Sequence, residues 1–213
     1  MERYKILHVL SILVCMVRVI IGVDEAGRGP LAGPVAVGIV AVSPRLNLGR
    51  IFPGLKDSKK LSEKKREEIY AKMQVLSKSK RLQYIVVFSS HSVIDKKGIT
   101  KAVARAVNFG VKKLAPEHRT AEVLLDGLLK APKEYAQKTI IRGDESEPVI
   151  SLASIAAKVE RDWFMQKVSK KYPEYGFEQH KGYGTRKHFA AIKKLGFCSI
   201  HSRTYCKNIK TGA

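Results

Sequence analysis

Residues 17–42 read VRVIIGVDEAGRGPLAGPVAVGIVAV. Two β-branched runs, Val17–Val23 and Pro34–Val42, flank a pair of acids and a glycine-rich turn. Such runs predict two strands joined by a short connection. Asp24 and Glu25 close the first run, and Gly27-Arg28-Gly29-Pro30 follows. Adjacent acids at the end of an apolar strand point to opposite faces unless the backbone turns. Gly27, Gly29 and Ala32 fit the spacing G-x-G-x-x-A, a dinucleotide fingerprint that requires a helix to begin there. Pro30 and Pro34 intervene and a strand follows, so that reading is rejected. A glycine turn does let backbone N–H groups approach a phosphate or sugar. It also serves as a tight strand-to-strand turn, and both roles can hold at once.

Outward from this stretch the pattern alternates. Ser62 is a plausible N-cap for a helix to about Lys78, with Ile69, Met73 and Leu76 at helical spacing. Leu82–Phe88 reads as a third strand. Ile99–Leu114 is a helix with Val103, Val107 and Val111 on one face. Ala121–Leu125 is a short strand ending in Asp126-Gly127, and Lys138–Ile141 another, followed by Gly143-Asp144. Leu152, Ile155, Ala156, Val159 and Trp163 mark one face of a long helix. The expectation is an α/β fold with a mixed sheet and a helical C-terminal third.

The whole chain has 213 residues, 45% of them hydrophobic, which suits one domain or one domain plus a small cap and excludes a disordered scaffold. Forty Lys and Arg against 19 Asp and Glu give a net charge of +21. Such an excess points to a polyanion, and nucleic acid is the usual one; a merely basic soluble surface is the plainer alternative. From Lys171 onward nine Lys/Arg face Glu174 and Glu178, and His180, His188 and His201 lie in the same segment. Residues 171–213 are therefore expected to form a basic cap that grips a phosphate backbone on a body of residues 18–170. Binding of that kind weakens with salt. Lys59, Lys158 and Lys181 are the candidate contacts, Lys158 sharing a helical face with Ser154.

Cys15, Cys198 and Cys206 contain no C-x-x-C pair, so neither a zinc ribbon nor a disulfide framework is expected, and a reducing cytoplasm is the expected home. The apolar run from Ile6 to Val17 is shorter than the roughly 20 residues of a membrane span. Residues 1–17 are read as an N-terminal extension, with Met16 an alternative start to Met1.

In a chain this basic, acids at strand ends stand out. Asp24 and Glu25 end the first strand, Asp126 ends the fourth and Asp144 follows the fifth. Ends of neighbouring strands can converge, and clustered carboxylates repel one another unless cations intervene. Mg²⁺ or Mn²⁺ prefers such oxygen ligands, and two ions could activate a water and stabilise a leaving oxygen in phosphodiester hydrolysis. A single Asp-Gly, as at Asp126-Gly127, is by itself more often a turn.

At these residues a resemblance emerges. Gly22–Pro34 is similar to the opening signature of the bacterial ribonuclease HII family. Asp57-Ser58-Lys59-Lys60-Leu61, Leu125-Asp126-Gly127, Ala153–Asp162 and His180-Lys181-Gly182-Tyr183-Gly184-Thr185 resemble further blocks of that family, in its order. The likeness spans roughly residues 19–206; the extension before Met16 and the stretch His201–Tyr205 depart from it.

The resemblance implies an RNase H-like five-stranded mixed sheet flanked by helices, with a helical C-terminal extension. It implies Mg²⁺- or Mn²⁺-dependent cleavage of RNA in RNA–DNA hybrids, with two ions when substrate is bound, and 5′-phosphate and 3′-hydroxyl ends. Incision at single ribonucleotides in duplex DNA is implied too. Asp24, Glu25, Asp126 and Asp144 fall at the family's acidic positions, with Asp162 or Glu145 conceivable in place of Asp144. Gly27, Arg28, Gly29 and Tyr183 fall where the family reads the ribose, and Ser154 joins the substrate contacts. A monomer is expected, with no membrane association and no sliding-clamp motif at the C-terminus. Two other readings stay open at this point. One is a different RNase H-like nuclease, such as a junction resolvase or exonuclease; the other is a basic nucleic-acid-binding protein without chemistry.

Overall fold

The computed structural model describes residues 18–55 and 61–212. Met1, Cys15, Met16 and the expected extension lie outside the described residues, as do Asp57, Ser58 and Lys59.

Five strands form one sheet in the order β3-β2-β1-β4-β5. They are β1 (Val19–Ala26), β2 (Val35–Val42), β3 (Leu82–Ser89), β4 (Ala121–Asp126) and β5 (Ala136–Ile140). β1, β2 and β3 pair antiparallel, whereas β4 and β5 run parallel to β1, so the sheet is mixed. The helices are α1 (Leu48–Ile51), α2 (Glu63–Lys78), α3 (His91–Lys97), α4 (Ile99–Leu114), α5 (Gly143–Ser146), α6 (Pro148–Ser169), α7 (Phe177–His180), α8 (Arg186–Leu195) and α9 (Arg203–Cys206).

Strand alternation distributes β2 between two cores. Val35, Val37, Ile39 and Ala41 meet α4, while Val40 and Val42 meet α2 and α6. Both faces are covered, which is why every residue of β2 is buried and the run is continuously apolar. The apolar stripe of α4 buries Ala102, Val103, Ala106, Val107 and Val111 on the first face. α2 starts where expected: the Ser62 hydroxyl accepts from the Lys65 backbone N–H. α6 crosses the opposite face and touches the sheet backbone. A Cβ on Gly38 would stand 2.1 Å from the Ala153 carbonyl oxygen, so only glycine there lets α6 lie so close. Gly38 pairs with Asp24, so this close approach lies beside the first acid.

Strand boundaries shift slightly from those read in the sequence. β1 runs through Asp24 and Glu25 to Ala26, because pairing with β2 continues past the apolar run. β5 begins at Ala136, where backbone pairing with β4 organises a mostly exposed strand that has no apolar alternation to announce it. Trp163 was expected on the buried stripe of α6 but is 40% exposed. Its indole N–H donates to Glu67 and its ring meets Tyr70 edge-on, so it flanks the α2–α6 contact.

The C-terminal segment builds a third, smaller core from Tyr175, Phe177 and Ile192 against Ala32 and Met165. It clasps the glycine-rich loop. Leu31 N–H donates to the Gly182 carbonyl, Gly33 N–H to Ile200, Ser202 N–H to Leu31, and the Tyr205 hydroxyl to Arg28. The Asp95 carboxylate of α3 accepts from the Ser202 hydroxyl and from the Arg203 and Thr204 N–H groups, fixing the start of α9. No helix among the described residues is long and apolar enough to cross a membrane.

Candidate active site

The parallel pairing of β1 and β4 sets Val23 opposite Leu125, so the next residues, Asp24 and Asp126, emerge side by side. Asp24, Glu25 and Asp126 line one cleft of about 420 Å³ together with the Gly27–Gly29 turn, Ser154, Lys158 and Tyr183. Asp24 is only 5% exposed. Its Oδ1 accepts from the Glu25 N–H at 2.7 Å, and the Ser154 hydroxyl donates to its carboxylate. Burial is the main force on its ionisation, and the nearby charges of Asp126 and Glu25 add to it. Together they overcome the Ser154 hydrogen bond and push the carboxyl up to about 8. Glu25 is raised too, chiefly by burial, although Arg28 opposes this with an ion pair of 3.1 Å.

Asp126 is held by the Gly143 backbone N–H, which donates to its Oδ1 at 2.7 Å. Asp144 follows Gly143 in α5, is fully buried and is not part of the cleft wall. Its backbone carbonyl accepts from the Ser151 hydroxyl. Of the alternatives, Asp162 is buried and accepts from Lys158 Nζ at 2.8 Å, so it orients that lysine; Glu145 lies half-buried in α5. Among the described residues no three Asp, Glu, His or Cys side chains form a ready cation cage. The donor set still suits Mg²⁺ or Mn²⁺. These hard ions are commonly held by one or two carboxylates, with waters and substrate phosphate supplying the other oxygens. Adjacent carboxylates that resist ionisation are what such a cation would relieve.

Across the cleft stands Tyr183, 42% exposed, between Gly182 and Gly184. Its loop abuts the glycine-rich loop so closely that a Cβ on Gly182 would lie 2.2 Å from the Ala32 carbonyl oxygen. Two histidines of the basic segment hold this loop. His188 and His201 are buried. The Cys198 N–H donates to His201 Nδ1, so His201 carries its proton on Nε2 and donates to His188 Nε2 at 3.0 Å. His188 Nδ1 then donates to the Tyr183 carbonyl at 2.9 Å. Burial holds both imidazoles neutral, down to about 4.

Lys158 and Ser154 reach the cleft, one turn apart on α6. Lys181 does not line it: it is 9% exposed, and its Nζ lies 3.7 Å from Glu63 of α2. Its backbone sits in a left-handed turn, φ 51°, that aims the chain elsewhere. Arg66 of α2 lines the cleft and was not anticipated. A cation on the helix after Ser62 was its only trace in the sequence, and α2 carries several.

The family model for Ribonuclease HII matches residues 21–208. A Ribonuclease HII of Geobacter metallireducens is 45% identical over 186 residues, covering 86% of this chain and 82% of that protein. One from Coxiella burnetii is 42% identical over 186 residues, covering 87% of each. Among solved structures, the ribonuclease HII in a PCNA complex from Archaeoglobus fulgidus superposes with a TM-score of 0.72 at 26% identity, over 90% of this chain and 95% of that one.

Proposed function

This chain belongs to the ribonuclease HII family and is a ribonuclease H-type endonuclease, and from that premise we propose a metal-dependent reaction that reads a single ribose. The substrate is the RNA strand of an RNA–DNA hybrid, or one ribonucleotide embedded in duplex DNA. Water attacks the phosphorus of a phosphodiester beside the ribonucleotide, the P–O3′ bond breaks, and the products carry a 5′-phosphate and a 3′-hydroxyl. Asp24, Glu25, Asp126 and Asp144 would hold Mg²⁺ or Mn²⁺, because an all-oxygen set suits these ions and not softer ones. Two bound ions would supply an activated water and charge stabilisation at the leaving oxygen.

The chain's own groups divide the remaining work. Ser154 and the Glu25 N–H orient the Asp24 carboxylate, and the Gly143 N–H orients Asp126. Lys158, aligned by Asp162, offers a cation to the phosphate backbone. Arg28, Gly27 and Gly29 present backbone to the sugar, and Tyr183 adds a hydroxyl and a ring. The 2′-hydroxyl both donates and accepts hydrogen bonds, which is what separates RNA from DNA. Lys59 and the outward Lys and Arg of residues 171–213 would extend the grip on phosphate. The free Cys198 and Cys206 suit a reducing cytoplasm.

The observation that carries this reading is the single cleft. It brings the acids of β1 and β4 together with the Gly27–Gly29 turn and Tyr183. The test is Asp126→Asn, assayed with Mg²⁺ or Mn²⁺ on a labelled RNA–DNA hybrid, with binding followed by fluorescence anisotropy. Cleavage should be lost while binding is kept or tightened, since a repelling charge is removed. Near-normal turnover at saturating Mg²⁺ would remove the metal assignment.

A further inference from the structure

Arg161 of α6 is fully buried, although a guanidinium is costly to desolvate and an apolar side chain would fill the same space more cheaply. Its Nε donates to the Pro34 carbonyl at 3.0 Å. Its Nη2 donates to Lys181 at 3.1 Å and reaches Ala32 at 3.5 Å. Ala32 and Pro34 belong to the glycine-rich loop and Lys181 to the loop that carries Tyr183. One planar group therefore ties the two loops.

The same side chain touches both proposed ribose-reading elements. A Cβ on Gly27 would fall 1.9 Å from Arg161 Nε, so the turn lies directly on the guanidinium stem. The guanidinium carbon sits 5.5 Å from the centre of the Tyr183 ring, within cation–π range. Nη1 is buried without a hydrogen-bond partner, so hydrogen bonding alone does not account for placing an arginine here. A side chain used only for packing would not leave a donor unmatched.

We infer that Arg161 is a positioning residue that sets the spacing between the Gly27–Gly29 turn and the Tyr183 ring, and so acts on ribose recognition through Tyr183. The inference rests on the reading of Tyr183 given above. It makes Arg161 a determinant of the chemical step rather than of duplex affinity, because Arg161 is fully buried and outside the cleft wall.

The experiment is a double-mutant cycle of Arg161→Lys and Tyr183→Ala on a duplex with one ribonucleotide. Single-turnover rates, duplex Kd and melting temperature are measured for all four proteins. Arg161→Lys keeps the charge but loses the fork of donors. Its rate should fall about 3- to 30-fold, the equivalent of one or two lost hydrogen bonds, with Kd within about twofold. In the Tyr183→Ala background the same substitution should cost less than about twofold, because residues that act through one another are not additive. An equal loss in both backgrounds, or an unchanged rate in Arg161→Lys, overturns the inference. Wild-type cleavage by Tyr183→Ala alone would instead overturn the reading of Tyr183, and the inference with it. If Arg161→Lys fails to fold, Arg161→Gln, which keeps two donors without the charge, enters the same cycle with the same outcomes.

Discussion

Gly27 and Gly29 lie two residues apart in one turn, yet adding a methyl group to each should have opposite consequences. At Gly27 the backbone has φ +89°, and the new Cβ would stand 1.9 Å from Arg161 Nε. Holding an alanine in that conformation costs about 1–3 kcal/mol. Displacing a fully packed neighbour costs about 1–3 kcal/mol more. Arg161 cannot swing aside without surrendering its bonds to Pro34 and Lys181. The sum, about 2–6 kcal/mol, corresponds to a fall in melting temperature of roughly 4–24 °C for a chain of this size. At Gly29 an added Cβ meets nothing within 4 Å, and the residue is exposed on the cleft. Gly29→Ala should melt within about 2 °C of the parent, as exposed substitutions do. Its methyl group would occupy the space through which the sugar approaches, so cleavage should drop at least tenfold. The assay is thermal melting in EDTA beside single-turnover cleavage of a one-ribonucleotide duplex. A Gly27→Ala protein that melts with the parent would refute the packing argument. A fully active Gly29→Ala protein would refute the close-approach argument.

Asp24→Asn should stabilise the metal-free protein. A folded-state value near 8 against 3.8 means that the native state holds its proton more tightly than the unfolded chain, so stability falls as pH rises from about 4 to 8. At pH 7 that penalty works out at about 4 kcal/mol before relaxation. In EDTA the variant should melt above the parent at pH 7, with the gap closing towards pH 4; a gap independent of pH would contradict the burial argument. For His188 and His201 the sign is reversed. Their values, lowered from 6.5 to about 4, favour the neutral form in the fold, so stability present at pH 7 should drain away between pH 6.5 and 4. Their ring resonances should not titrate between pH 5 and 8, and a midpoint near 6.5 for either would break the proposed hydrogen-bond chain. Tyr183→Phe should lose one hydrogen bond, about 0.5–1.5 kcal/mol or roughly 2- to 13-fold in rate. Tyr183→Ala should lose more, with melting unchanged for both; a Phe variant as slow as the Ala variant would assign the whole effect to the hydroxyl.

Much of the sheet was legible because β-branched runs and their turn residues are local signals. The N-cap at Ser62 and the stripe of α4 are equally local, and both lie where the sequence put them. The mostly exposed β5 and short α3 were harder. One is organised by pairing with β4, and the other is a seven-residue helix cut from α4 by Gly98 at φ 78°. The acids were conspicuous in a basic chain, but the convergence of Asp24 and Asp126, 102 positions apart, follows from parallel pairing that no local pattern encodes. Lys181 misled for a physical reason. Charge and residue type suggest a solvent-facing grip, whereas tertiary packing decides which side chains point inward. Arg161 was invisible for the same reason, since arginines are mostly exposed and burial at this one comes from two loops far apart in sequence.

The central claim is that this cleft reads one 2′-hydroxyl and cleaves beside it with the help of divalent cations. Two labelled duplexes, identical except for one ribonucleotide, test it directly in Mg²⁺ or Mn²⁺ and in EDTA. The account requires incision only of the ribonucleotide duplex, only with the cation, beside the ribose, leaving a 3′-hydroxyl and a 5′-phosphate. Cutting of the all-deoxy duplex at a comparable rate, or cutting that persists in EDTA, would contradict it.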